Sequence, residues 1–232
     1  MQASDIMTIS VETVRPETPI SEIAGRLLAR HVSAVPVVDE GGQVVGIVSE
    51  GDLMRRPETG TERAPSWWLR IIDPGDGLAR EYVKFHGVHA RDVMTRSVVT
   101  VDEGASLEEI AELLESNRIK RVPVLRDGKL AGIVSRADLL RGLAASGTGK
   151  QASTDDSKAR SAIIESARDA GVDMEFGSVV VVDGVASVWG LVETGAQKNA
   201  LRVAAESAPG ISHVNDQATV MSQALRSTIR AI

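Results

Sequence analysis

Cysteine is absent from the 232 residues, and only six residues, three Trp, one Tyr and two Phe, are aromatic. Without cysteine there is no disulfide framework, no thiolate metal site and no thiol nucleophile. No apolar run approaches the roughly 18 to 20 residues that span a bilayer, and Met1 to Thr8 lacks the basic cluster and apolar stretch of a signal peptide, so a cytoplasmic location is expected. Positive charge is also short, with 26 Lys and Arg against 32 Asp and Glu for a net charge of -6. Nucleic-acid affinity rests on phosphate neutralisation, so this balance argues against a general nucleic-acid binder while allowing a local basic site for a small polyphosphate. The four histidines are scattered. No Ser-His-Asp arrangement, metal cluster or glycine-rich phosphate loop stands out, and the chain reads as a non-enzyme. What is present, 43% apolar and 25% charged residues, suits one large or two modest globular domains.

An internal repeat organises the first two-thirds. At a shift of 87, Asp5, Met7, Thr8, Val11, Thr13 and Val14 fall on Asp92, Met94, Thr95, Val98, Thr100 and Val101. The register continues through Ile23, Ala24 and Leu27 and through Val35-Pro36-Val37, which meets Val122-Pro123-Val124. After the turns at Gly41-Gly42 and Asp127-Gly128 the shift becomes 86, pairing Gly46-Ile47-Val48-Ser49 with Gly132-Ile133-Val134-Ser135 and Asp52-Leu53 with Asp138-Leu139. One residue has been lost in a turn, where loss is cheapest.

Each repeat reads as strand, helix, strand, strand, helix. Ile20, Ile23, Ala24, Leu27 and Leu28 recur at helical spacing behind Thr18 at the N-cap and Pro19 at the first helical position. In the second repeat Ser106 and Glu109 form a capping box ahead of Leu107, Ile110, Ala111 and Leu114. The runs around Val35 to Val38 and Val44 to Val48 read as a buried hairpin. A repeat of this size buries little surface alone, so two packing sheet to sheet is the expected solution.

Asp-Ile-Met-Thr and Asp-Val-Met-Thr at the openings, the Val-Pro-Val strands, and Gly-Ile-Val-Ser-x-x-Asp-Leu at both closings resemble the CBS domain family, over about residues 1–55 and 90–145. The resemblance implies an α/β (α+β) fold: β-α-β-β-α repeats paired into a pseudo-twofold Bateman module, with two clefts for adenosine-containing ligands and a tendency to form flat homodimers.

Ser49 with Asp52, and Ser135 with Asp138, sit where a strand hands over to a helix. Two readings are open. A serine N-cap with an acid three residues on is a common helix start, favoured by the macrodipole. The functional reading has the carboxylate take both ribose hydroxyls while backbone amides face phosphate. By resemblance to the family, one cleft would use Ser135, Asp138 and Ile133 with Val11 to Thr13, Val32 and Ser33, and Lys120 and Arg121 would reach phosphate. The other would use Ser49, Asp52 and Ile47 with Val98 to Thr100, Ile119 and Lys120. Ser33 and Ala34 stand where Lys120 and Arg121 stand in the second repeat, so the Asp138 cleft is expected to hold a phosphorylated ligand more tightly. AMP, ADP or ATP fit this scheme, and NAD and S-adenosylmethionine are compatible with it. A solvated helix-to-strand corner is the plain alternative for Lys120 and Arg121.

The segment 56–90 has no counterpart after the second repeat and holds four of the six aromatics, Trp67, Trp68, Tyr82 and Phe85. Leu78, Tyr82 and Phe85 predict a helix docked on the module, in preference to an aromatic lid on a cleft. His86 and His89 are spaced for a shared metal but lack a third ligand, and no metal site is expected.

Residues 146–154 read as a linker between the second repeat at 91–145 and a further domain at 155–221, followed by a tail at 222–232. That domain predicts a helix over Ala159 to Ala170, a hairpin around Asp183-Gly184, a helix capped by Thr194 with Gln197 and stopped at Pro209-Gly210, and a strand over His213 to Val220. With Val-Asp-Gly-Val, Trp189-Gly190 and Pro209-Gly210-Ile211-Ser212-His213-Val214-Asn215, it resembles a BON domain, a family associated with membranes, phospholipid or protein partners. Seven basic residues against ten acidic ones from Asp155 onward disfavour anionic lipid, which leaves a protein contact. Leu225, Ile229 and Ile232 read as a self-packing or oligomer stripe. The sequence thus reads as an adenine-nucleotide sensor, with a structural assembly module or a phospholipid-associated module with non-binding clefts as the alternative.

Overall fold

The computed structural model describes residues 1–54, 83–84, 86–146, 152–174 and 177–222. In chain order the first elements are α1 (Ala3–Ile6), α2 (Ile20–Ala29), β1 (Ala34–Val38), β2 (Val44–Ser49), α3 (Glu50–Met54) and α4 (Ala90–Val93). There follow β3 (Val101–Asp102), α5 (Leu107–Ser116), β4 (Arg121–Arg126), β5 (Lys129–Ser135) and α6 (Arg136–Ser146). The last group is α7 (Thr154–Asp169), β6 (Gly177–Val182), β7 (Val185–Val192), α8 (Gly195–Ser207) and β8 (His213–Val220).

Among the described residues two compact units result, one from Glu12–Val98 and the other from Met1–Val11 with the described residues between Val99 and Ser222. Each unit is therefore the body of one repeat plus the opening segment of the other. Two close packings explain the exchange. Thr8 and Ile133 trade backbone hydrogen bonds, each at 3.0 Å, and so do Thr95 and Ile47, at 2.9 and 3.0 Å. The methionine of each opening motif lies on the glycine of the matching closing motif: a Cβ on Gly132 would meet Met7 Sδ at 2.5 Å, and one on Gly46 would meet Met94 Sδ at 2.3 Å. Both motifs are thus two halves of one contact, because a side chain at that glycine would occupy the methionine's space.

In Glu12–Val98 the antiparallel pair β1 and β2 is joined by a parallel bridge between Val14 and Val37. Ile23 and Leu27 of α2 pack with Val35, Val37, Val48 and the α4 residues Ala90 and Val93. In the other unit β3 pairs in parallel with β4, which pairs antiparallel with β5. Ile110 and Leu114 of α5 cover Val122, Val124 and Val134. Each fully buried Val, Leu or Ile of these clusters stabilises the fold by about 1.5–3 kcal/mol.

The caps differ in detail from those predicted. Pro19 itself is the N-cap of α2, without a side-chain bond, because Thr18 Oγ1 accepts instead from Arg15 N. Ser106 accepts from Glu109 N at 3.1 Å, while the Thr194 and Gln197 box is complete in both directions. Both repeat helices end without glycine: His31 and Arg118 take φ of 48° and 54°, and the next amides, of Val32 and Ile119, bond to Leu27 O and Leu114 O.

Packing continues past the composition-marked linker. β6 is buried on both faces, with Val179 and Val181 among its own helices and Val180 and Val182 in the core of the second repeat. This is why its run is Val-Val-Val-Val and does not alternate with polar residues. Arg160 of α7, only 4% exposed, fixes the junction by donating from Nε to Val179 O at 2.7 Å and from Nη2 to Met7 O at 2.6 Å. Burial pushes its pKa down to about 10, against the upward pull of Asp5 and Asp138. Ser157 Oγ adds a bond to Asp5 Oδ1 at 2.9 Å. The third sheet has β7 in the middle, antiparallel to β6 and parallel to β8, with α8 as the crossover.

Candidate functional site

The two Ser-x-x-Asp corners form without an intervening loop, β2 running into α3 and β5 into α6. At the second corner Asp138 Oδ2 accepts from Ser135 N at 2.8 Å and Ser135 Oγ at 2.7 Å. At the first, Asp52 Oδ2 accepts from Ser49 N at 3.0 Å and Ser49 Oγ at 2.7 Å. One carboxylate oxygen thus satisfies two donors freed where ladder turns into helix. Asp138 is buried and Asp52 half-buried.

The same cap occurs elsewhere in the chain, so its recurrence does not single out a ligand site. Asp156 Oδ2 accepts from Ser153 N at 2.8 Å and Ser153 Oγ at 2.9 Å, while Asp5 and Asp92 close the caps of α1 and α4. The difference lies in the other oxygen. Asp156 Oδ1 is held by the backbone amide of Gly184 at 2.9 Å, in the type I′ turn where Asp183 and Gly184 take φ of 50° and 71°. Burial by itself raises the Asp156 pKa, but hydrogen bonds from Ser153, Gly184 and Asp183 outweigh it and hold the carboxyl below its usual range. At the repeat corners that oxygen is held by a side chain: Asp138 Oδ1 by Arg141 Nη1 at 2.7 Å, and Asp52 Oδ1 by Lys84 Nζ at 3.0 Å. A side chain at the surface can leave more readily than a backbone amide of a tight turn, so the carboxylates of Asp138 and Asp52 can exchange a partner where that of Asp156 cannot.

The predicted site residues distribute over both units. Val11, Thr100, Ile119, Lys120, Arg121, Ile133, Ser135 and Asp138 lie in one, and Thr13, Val32, Ser33, Ile47, Ser49, Asp52 and Val98 in the other. Strand register sets Arg121 opposite Ser135, and Lys120 O accepts from Arg136 N at 3.2 Å. Lys120 itself is exposed and Arg121 half-buried. In the other unit Ala34 lies opposite Ser49, and Ser33 O accepts from Glu50 N at 3.0 Å. Val11, Thr13, Val98 and Thr100 are half-buried on the strand approaches.

Sequence reasoning missed Arg141 and Lys84. The first was legible, three residues after Asp138 on one helix face. The second was not, since Lys84 comes from the insertion and only tertiary structure brings it to Asp52. The aromatics Trp67, Trp68, Tyr82 and Phe85 with Leu78, and the tail residues Leu225, Ile229 and Ile232, lie outside the described residues. His89 is the N-cap of α4, its Nδ1 3.7 Å from Asp92 Oδ2. Among the described residues no three His, Cys, Asp or Glu side chains form a metal-holding group, and no helix is long and apolar enough to cross a membrane.

The CBS domain model matches residues 3–58 and 90–145. YlbB of Bacillus subtilis, an uncharacterised protein, is 32% identical over 136 residues, which cover 58% of this chain and 77% of YlbB. The chloroplastic CBS domain-containing protein CBSX2 of Arabidopsis thaliana is 30% identical over 142 residues, and the chain spans 58% of its length. A crystal structure of CBSX2 in complex with AMP shares the fold with a TM-score of 0.52 at 30% identity, covering 60% of this chain and 94% of that one. With the motif carried twice and a relative matched over three-quarters of its length, the chain belongs to the CBS domain family, as a tandem CBS pair.

Proposed function

We propose that this chain is a regulatory sensor that binds an adenosine-containing ligand at its two Ser-x-x-Asp corners. The observation that carries the reading is that Asp138 and Asp52 each keep one carboxylate oxygen on a displaceable cation, while the otherwise identical cap at Asp156 is closed by backbone. A vicinal ribose diol would replace that cation with two hydrogen bonds to a charged acceptor. The likeness to CBSX2, solved with AMP, supports the adenylate class. Lys120 and Arg121 beside Ser135 favour a phosphorylated ligand at the Asp138 corner, as AMP, ADP or ATP, with NAD and S-adenosylmethionine in the same chemical class.

Ligand occupancy would be relayed through α6, which carries Asp138 in its first turn and packs on β6, to the C-terminal domain. We read that domain as BON-like and as the contact for a protein partner. Leu140 and Leu143 on α6 and Met54 on α3, 62–66% exposed, support pairing with a second copy. The assembly reading, with corners that bind nothing, is favoured by one fact: both carboxylates are already internally satisfied.

Titration calorimetry with AMP on Asp138→Ala and Asp52→Ala decides between them. The sensor reading expects loss of the tighter site in Asp138→Ala and of a weaker one in Asp52→Ala. An unchanged tight site in Asp138→Ala overturns the assignment, and heatless titration of the unaltered protein with every adenylate supports the assembly reading.

A further inference from the structure

We infer that Lys84 is the specificity-determining residue of the Asp52 site, making that site select adenosine ligands that carry phosphate; this rests on the ribose reading of Asp52. Lys84 Nζ sits 3.0 Å from Asp52 Oδ1, the oxygen that a ribose diol would take. Asp52 Oδ2 is committed to Ser49 N and Oγ, so the ligand has no other oxygen to use without dismantling the start of α3. A nucleoside must therefore evict the Lys84 ammonium and gives it nothing in return. A nucleotide evicts it too, but offers a phosphate on the same ribose, so the ion pair is exchanged and not lost. The lysine stem is long and flexible and its side chain is 43% exposed, which leaves the ammonium free to follow the new anion.

Selection of this kind belongs to this corner alone among those described. At the other, Arg141 lies on the same helix as Asp138, three residues on, and Arg121 and Lys120 already stand beside Ser135. Ser33 and Ala34 supply no charge at the equivalent places. Lys84, from a segment without a counterpart in the second repeat, fills that deficit.

The test uses the full chain carrying Asp138→Ala, so that the Asp52 site is read in isolation, titrated with AMP and with adenosine. AMP is expected to bind roughly tenfold more tightly than adenosine, as one charge-assisted contact would give. Adding Lys84→Gln should weaken AMP, tighten adenosine and bring the ratio close to one, while Lys84→Arg keeps the preference. High salt should shrink the preference only where the cation is present. Equal tightening of both ligands by Lys84→Gln would overturn the inference, since Lys84 would then only block the site; so would an unchanged ratio. Binding that survives Asp52→Ala in the Asp138→Ala background, or no binding there at all, would instead sink the ribose reading and the inference with it.

Discussion

Replacing Gly46 or Gly132 by alanine tests the exchange of opening segments between the repeats. Neither glycine has a positive φ, so the substitution acts through space alone and would otherwise stabilise by about 0.4–1 kcal/mol through the unfolded chain. The new Cβ at 132 lies 2.5 Å from Met7 Sδ, 2.8 Å from Met7 Cγ and 2.9 Å from Thr8 O. The methionine can turn away, but Thr8 O is tied to Ile133 N at 3.0 Å and moves only if that bond is strained. At 46 the close atoms, Sδ at 2.3 Å, Cγ at 2.8 Å and Cβ at 3.0 Å, all belong to Met94. Overpacking of this sort costs about 1–3 kcal/mol, the upper end applying to Gly132→Ala. Met94→Ala alone leaves a cavity and costs about 2–5 kcal/mol. The pair Gly46→Ala with Met94→Ala removes the sulfur and Cγ clashes and part-fills the cavity, so it should beat additivity by about 1–2 kcal/mol. Gly132→Ala with Met7→Ala recovers less, because the carbonyl remains. Urea denaturation of the unaltered protein, the four single variants and the two pairs, compared by midpoint at constant slope, reads these differences. Additivity within about 0.5 kcal/mol at position 46 would refute the packing argument.

Arg118→Gly should stabilise by about 0.5–1 kcal/mol, seen as a higher melting temperature, because a left-handed residue costs an L side chain about 1–2 kcal/mol and glycine's unfolded freedom returns part of it. His31→Gly should behave alike, since φ is positive at both helix ends. Asp156→Asn should destabilise by about 1–3 kcal/mol, since an amide nitrogen must face a backbone N–H where an oxygen accepted. The carboxyl of Asp156 is held below its usual range, so its contribution is complete above the unfolded carboxylate pKa and lost as pH falls through the lower folded one. The stability gap between Asp156→Asn and the unaltered protein should therefore close on acidification below about pH 4 in chemical denaturation series; a gap independent of pH would show that the charge is immaterial.

The sequence by itself determined the repeat, the family and most elements. Short-range rules suffice for these: two copies of one pattern announce themselves by offset, Asp183-Gly184 dictates its turn, and Thr194 with Gln197 caps a helix wherever it stands. It also located Ser135, Asp138, Ser49 and Asp52 at their strand-to-helix corners. What it could not separate was a cap from a ligand site, because Ser153 with Asp156 spells the same cap. The three caps differ in what holds the second oxygen, Gly184 N in one case and Arg141 or Lys84 in the others. Arg141 stands one helical turn from Asp138 in the sequence, but tertiary structure alone brought Gly184 to Asp156 and Lys84 to Asp52, and it alone decided that Met7 serves the second repeat and Met94 the first, and that β6 is shared between two cores. Contacts of this kind join residues dozens to more than a hundred positions apart, and no local periodicity or propensity carries a record of them.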